Sequence, residues 1–105
     1  MATTVEYVEY VCEQIRYFDN VRYKKMFGEY MVYINEKPIL LVCDNTVYVK
    51  ILDSIKDYLQ NAEKGFPYGG AKEHYILDID DIELCEKVIG KLENITPLPK
   101  KKIKW

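Results

Sequence analysis

The sequence is poor in the residue types from which most active sites are built. It holds one histidine, His74, and three cysteines at wide spacing. A lone histidine has no acid–base partner visible in the sequence. An odd number of widely spaced cysteines forms neither a disulfide framework nor a zinc-ligand set, so inert, reduced thiols are expected. Long apolar runs are missing too. The longest, Ile39 to Cys43, is far too short to span a bilayer. The start of the chain has no basic segment followed by an apolar one, so neither a leader nor a membrane anchor is expected. Nor is there an excess of positive charge. Fifteen Lys and Arg stand against 17 Asp and Glu, for a net charge of −2. That balance argues against a protein that coats DNA through a strongly basic field. These absences leave a cytoplasmic protein with no cofactor and no metal as the expectation, and no enzyme chemistry is indicated.

What is present describes a small folded domain. Apolar residues make up 49% of the 105 residues and charged ones 30%, within the globular range. A chain of this length buries roughly 65% of its unfolded surface and needs no staple to fold. Thr3 and Glu6 have capping-box spacing ahead of Val5, Val8, Cys12 and Ile15, which share one helix face. From Val21 to Ile51, Tyr, Val, Ile and Met dominate, as strands favour. Four strands are read: Val21–Met26, Glu29–Ile34, Pro38–Cys43 and Thr46–Ile51. Asn35-Glu36 and Asp44-Asn45 provide the short turns of an antiparallel meander. Asp53 opens a short helix to about Asn61. A loop follows from Ala62 to Lys72, then a fifth strand, His74–Asp78. Asp80 and Glu83 start the last helix, whose face carries Ile82, Cys85, Val88, Ile89 and Leu92. Pro97 and Pro99 end it.

The predicted order is α-β-β-β-β-α-β-α. This is an α+β domain over residues 1–98 with an antiparallel sheet of about five strands, followed by a basic flexible tail over 99–105. Strand alternation separates Tyr30, Val32 and Ile34 from Met31 and Tyr33, and Val47 and Val49 from Tyr48 and Lys50. Both sets are apolar or aromatic. One packs under the helices. The other either forms an interface or ligand surface or is hidden by bent strands.

Two short stretches stand out: Lys25-Met26-Phe27-Gly28-Glu29-Tyr30 and Pro67-Tyr68-Gly69-Gly70-Ala71-Lys72. In the first, Gly28 permits a bend between strands. Glu29 sits between Phe27 and Tyr30, placed to pair with Lys25 or Lys50 or to meet a partner's basic group; the structural alternative is that Met26, Phe27 and Tyr30 are core. The second superficially matches a phosphate loop. Ala71 stands where the lysine belongs, however, and the stretch leads from helix into strand, so nucleotide binding is rejected. A shaped surface loop remains, with Tyr68 and Lys72 available for contact. Asp78, Asp80 and Asp81 fit helix capping rather than a calcium loop. Ten tyrosines, some beside Lys24, Lys25 and Lys50, offer stacking surfaces for nucleobases.

These two stretches, with Val21-Arg22-Tyr23-Lys24, Leu41-Val42-Cys43-Asp44 and Tyr48-Val49-Lys50, make the chain resemble the N-terminal domain of the TfoX/Sxy competence regulators from Val5 to about Leu98. The resemblance implies a two-layer fold similar to YgaC-like and secretion-chaperone-like domains, with no known enzyme activity, metal or cofactor. Family members with two domains regulate competence genes and are thought to cooperate with the cyclic-AMP receptor protein at promoters. No counterpart of their second, helical domain is expected in this chain. The expectation is therefore a cytosolic, non-enzymatic regulatory or protein-binding module, with partner-binding candidates Lys25, Phe27, Glu29, Tyr30, Tyr48, Lys50, Tyr68 and Lys72. Its partner is a protein, transcription machinery included, or a second copy in a homodimer. The alternative is a single-stranded nucleic-acid binder using tyrosines and lysines of the sheet.

Overall fold

The computed structural model describes residues 3–26 and 29–98. The expected bend at Gly28, the candidate Phe27 and the basic tail therefore lie outside the described residues. Helix α1 (Val5–Gln14) starts on Thr4, whose hydroxyl accepts the Tyr7 N–H at 3.2 Å. The expected cap, Thr3, is displaced by one position because its hydroxyl is used elsewhere, in a network described below. Helix α2 (Ile82–Ile95) starts on Asp81, whose carboxylate accepts the Leu84 N–H at 3.1 Å. Asp80, the cap expected from sequence, accepts the Tyr10 hydroxyl instead. Ile82, expected on the buried stripe, is exposed.

The strands are β1 (Val21–Met26), β2 (Glu29–Ile34), β3 (Lys37–Cys43), β4 (Thr46–Lys50), β5 (Lys64–Gly65) and β6 (His74–Ile76). They form one sheet in the order β1-β2-β3-β4-β6-β5, antiparallel throughout. The five predicted strands lie where periodicity placed them, the last of them ending at Ile76 rather than Asp78. β5 is the addition, in a segment expected to be loop. Its two residues carry no alternation to detect; they join the sheet by pairing Lys64 with Tyr75 and Gly65 with His74. The helix expected after Asp53 is a 3-10 helix, Asp53–Leu59, which buries Ile55 and Leu59.

Turn chemistry sets the register. Asn35 and Glu36 have φ of 53° and 68°, and Asp44 and Asn45 have 56° and 53°. Two consecutive positive φ values are the pattern of type I′ hairpin turns, whose twist matches the flanking strands. Between β2 and β3 the register shifts: Val32 faces Leu40, but Tyr33 faces Pro38. Ile39 is thus an extra residue, a bulge beside a proline that cannot donate to the ladder. β1 is a sheet edge, and its Arg22, Lys24 and Lys25 are exposed there. Charges of this kind discourage edge-to-edge pairing.

The register assigns the faces. Tyr23, Tyr30, Val32, Ile34, Leu40, Val42, Val47, Val49 and Tyr75 share one side. This side packs against Val8, Val11 and Ile15 of the α1 segment and Cys85, Val88, Ile89 and Leu92 of α2 in a single core. Alternation dictates the other side: Arg22 and Lys24, Met31 and Tyr33, Leu41, Tyr48 and Lys50, His74 and Ile76. No helix is packed on this second side among the described residues.

Candidate functional site

A groove of about 610 Å³ lies on the open face, at the end of the sheet where β3 begins and β4 ends. Its floor is apolar: Met31, Leu41 and Tyr48 from the strands, with Pro38 and Ile39 of the bulged segment. Leu52, just after β4, and Leu92, Ile95 and Pro97, at the end of α2, wall one side, where the groove reaches the core at Leu40. Tyr68, Lys72 and His74 come from the loop that leads into β6, and Lys50 ends β4 beside them. A pocket of this size with an apolar floor and a few convergent polar groups is the usual form of a binding site.

The second sequence stretch is explained by this geometry. The Ala71 N–H donates to the Tyr68 carbonyl at 3.1 Å, closing a four-residue turn whose third residue, Gly70, has φ of +87°. That is the pattern of a type II turn, which calls for glycine at its third position. The turn sets Tyr68 and Lys72 on either side of it, both against the groove. Gly65 has a different role. A Cβ there would stand 3.4 Å from both the Tyr48 ring and the Ile76 side chain, so the Tyr48 ring reaches across β6 on the open face to the backbone of β5. His74 is held as well: its Nδ1 lies 2.7 Å from the Lys72 carbonyl. A carbonyl only accepts, so Nδ1 carries the proton and Nε2 is the ring nitrogen left for other contacts. The imidazole also meets the Tyr48 ring edge to face, with centroids 6.3 Å apart.

Of the eight sequence candidates, the structure brings four together in the groove: Tyr48, Lys50, Tyr68 and Lys72. Tyr68 is 59% exposed, whereas Tyr48 is 9% exposed and forms floor rather than rim. Three others lie elsewhere. Tyr30 is buried on the helix-covered side, edge-on to Tyr23 with centroids 5.5 Å apart. Lys25 is its register partner on β1 and is exposed on that same side. Glu29 is engaged within the chain rather than paired with Lys25 or Lys50 as expected. It accepts the Thr3 hydroxyl at 2.6 Å and the Asp44 N–H at 3.1 Å, while Thr3 accepts the Asn45 N–H at 3.2 Å. This network ties the segment before α1 to the β3–β4 turn. Sequence reasoning missed Met31, Leu41, Leu52, Ile95 and Pro97 as groove residues. For Met31 alone the signal was present, in strand alternation.

The Thr3 network makes a direct prediction. Replacing Thr3, 6% exposed, by valine keeps the shape but takes from Glu29 one of its two donors and from the Asn45 N–H its acceptor. A loss of about 1–3 kcal/mol in urea unfolding is expected. A Thr3→Val/Glu29→Gln double-mutant cycle showing no coupling between the two sites would rule the network out as a stabilising element.

Other polar groups are absorbed structurally. Arg22 donates to both Glu36 carboxylate oxygens, at 3.2 and 2.8 Å, and its guanidinium lies 4.5 Å from the Tyr33 ring centroid. The pairing raises the pKa of Arg22 and lowers that of Glu36. Asp78 accepts the Asp80 N–H, and Asp81 caps α2, in keeping with the capping reading of that acidic cluster. Burial raises all three thiols: Cys85 is pushed up to about 12, Cys12 and Cys43 to about 11. Thiols of this kind are protonated at neutral pH and poor nucleophiles.

A two-layer α+β domain with one sheet face under helices and a loop-edged groove on the other defines the class of protein. The chain belongs to the TfoX N-terminal domain family, whose model matches residues 13–83 and so takes in both distinctive stretches. It is also similar to the "Uncharacterized 12.7 kDa protein in trpE 5'region" of Spirochaeta aurantia. The two are 32% identical over 102 residues, covering 95% of this chain and 89% of the relative. Among the described residues no helix is long and apolar enough to cross a membrane.

Proposed function

We propose that this chain is a cytoplasmic, non-enzymatic regulatory module that docks a partner protein in the groove of its open sheet face. The observation that carries this reading is the groove itself: an apolar cleft at the end of the sheet, floored by open-face strand residues and walled by the end of α2, in a domain whose other sheet face carries the helices. The family supports a regulatory role, with a component of the transcription machinery as the class of partner. A non-enzymatic role is favoured by the lining of the groove, where no carboxylate or thiol stands with His74 among the described residues, and by the protonated state of the thiols.

A second reading, binding of single-stranded nucleic acid, is favoured by the gathering of Tyr48, Tyr68, Lys50 and Lys72 in one place. It is the weaker of the two. Stacking needs ring faces open to a base, and the Tyr48 ring is nearly enclosed while the remaining floor is aliphatic.

The test is site-specific photo-crosslinking in the native cell. A benzoylphenylalanine at position 68, in the groove, is expected to yield discrete protein adducts. The same residue at position 86, on the exposed side of α2, is expected to yield none of them. Identical adducts from both positions, or none from position 68, would sink the proposal.

A further inference from the structure

We infer that the groove selects an acidic, apolar polypeptide segment; this deepens the docking reading above and rests on it. The chain carries a net charge of −2, yet its surface charge is unevenly placed. Three other surface cavities are each lined by carboxylates: Glu9 and Glu13 in one, Glu63, Asp78 and Asp80 in the second, Asp57, Asp78 and Asp81 in the third. Among the described residues the groove is lined by none. Its charged and titratable groups besides the two tyrosines are Lys50, Lys72 and His74, all at one end. Glu73 lies between Lys72 and His74 in sequence but does not line it.

The same open face continues across β1 with Arg22 and Lys24, which the register places on that side. Arg22 is matched by Glu36, and Glu29, the carboxylate of β2 on this face, is turned into hydrogen bonds with Thr3 and Asp44. Arg22 and Glu36 offset one another, whereas Lys50 and Lys72 line the groove with no carboxylate among its described lining residues. Exposed charges within a Debye length, about 8 Å at physiological salt, act together on an approaching ligand.

This charge pattern decides between occupants. A second copy docked groove to groove about a two-fold axis through the groove would bring the Lys50 and Lys72 of both copies together, and like charges across an interface oppose association. An aliphatic floor of Met31, Leu41, Leu52 and Ile95 suits leucine-like or aromatic side chains better than nucleobases. A segment that alternates apolar residues with carboxylates satisfies both the floor and the rim.

The experiment is methyl NMR of the full chain, observing Met31 and Leu41, titrated with short synthetic peptides. One peptide alternates leucine with glutamate; its two counterparts carry glutamine or lysine in place of glutamate. An oligothymidylate is the fourth probe. The acidic peptide is expected to shift both residues at low salt, with affinity that falls as salt rises. The Lys50→Glu/Lys72→Glu variant, altered only at exposed positions, is expected to weaken it by about tenfold or more. Equal binding of all three peptides would overturn charge selection while leaving groove docking in place. Absence of shifts with every peptide would overturn both readings, and preferential shifts with the oligothymidylate would replace them with nucleic-acid binding.

Discussion

Alanine at Leu40 should cost far more stability than alanine at Leu41, although the two residues are adjacent and identical. Leu40 faces Val32 across the ladder and is fully buried in the helix-covered core. Removing its side chain costs the transfer energy of the lost atoms and leaves a cavity, together about 2–5 kcal/mol. In a domain of this size that lowers the melting temperature by about 10 °C or more. Leu41 faces Met31 and Tyr48 on the open side and is only partly covered. Its truncation should cost about 1 kcal/mol. It should nonetheless abolish both the adducts from position 68 and the peptide-induced shifts at Met31, because it removes the middle of the groove floor. Urea unfolding and peptide titration of both variants decide the matter. Equal destabilisation by the two would mean that the open face is covered in solution by a second copy, whose presence light scattering would reveal.

The second large effect is expected in alkali. Cys85 is pushed up to about 12, and Cys12 and Cys43 to about 11, from an ordinary value of 9.0. For each thiol, burial is the main cause. Neighbouring carboxylates add to it: Asp81 beside Cys85, Glu9 beside Cys12 and Glu29 beside Cys43. Tyr7, Tyr17 and Tyr48 are raised too, each chiefly by burial. The folded chain therefore holds protons that the unfolded chain releases. Stability from these groups is fully present below about pH 9 and is lost as pH rises toward 11–12. Denaturation midpoints should be level from neutral pH to about 8.5 and then fall steeply, with Cys85→Ala flattening the decline. In parallel, iodoacetamide at about pH 8 should label the native chain slowly and the denatured chain fast, since only the thiolate reacts. Rapid labelling of native Cys85 would contradict the buried placement.

The fold was legible where periodicity and turn chemistry were strong. β2 alternates so regularly that its spacing alone assigns Tyr30, Val32 and Ile34 to one side and Met31 and Tyr33 to the other. Asp44-Asn45 and Asn35-Glu36 declared their turns because Asn and Asp accept positive φ at little cost. β5 was not legible, because a two-residue strand containing glycine has no pattern. The caps were misplaced by one residue in both helices. Thr3 and Asp80 are as good at capping as Thr4 and Asp81; tertiary hydrogen bonds to Glu29 and Tyr10 removed them from the competition.

The candidate site divides in the same way. Tyr68 and Lys72 were legible as the flanks of a surface turn, because Gly69-Gly70 announces a turn and a turn exposes its flanks. Tyr30 and Glu29 were singled out for being an aromatic and a carboxylate side by side. Only the register could show that one faces the core and the other is bound to Thr3.

Determined by the sequence itself were the α+β class, the meander, the division of the strand residues between two sheet faces and the family, since these depend on local spacing and on residues close in the chain. Which face the helices cover, and that Leu52, Ile95 and Pro97 meet Met31, Leu41 and Lys50 in one groove, was decided only by tertiary structure. Those contacts join segments far apart in sequence, and the bulge at Ile39 and the path of the chain after α2 set their geometry. Neither is encoded in any single local pattern.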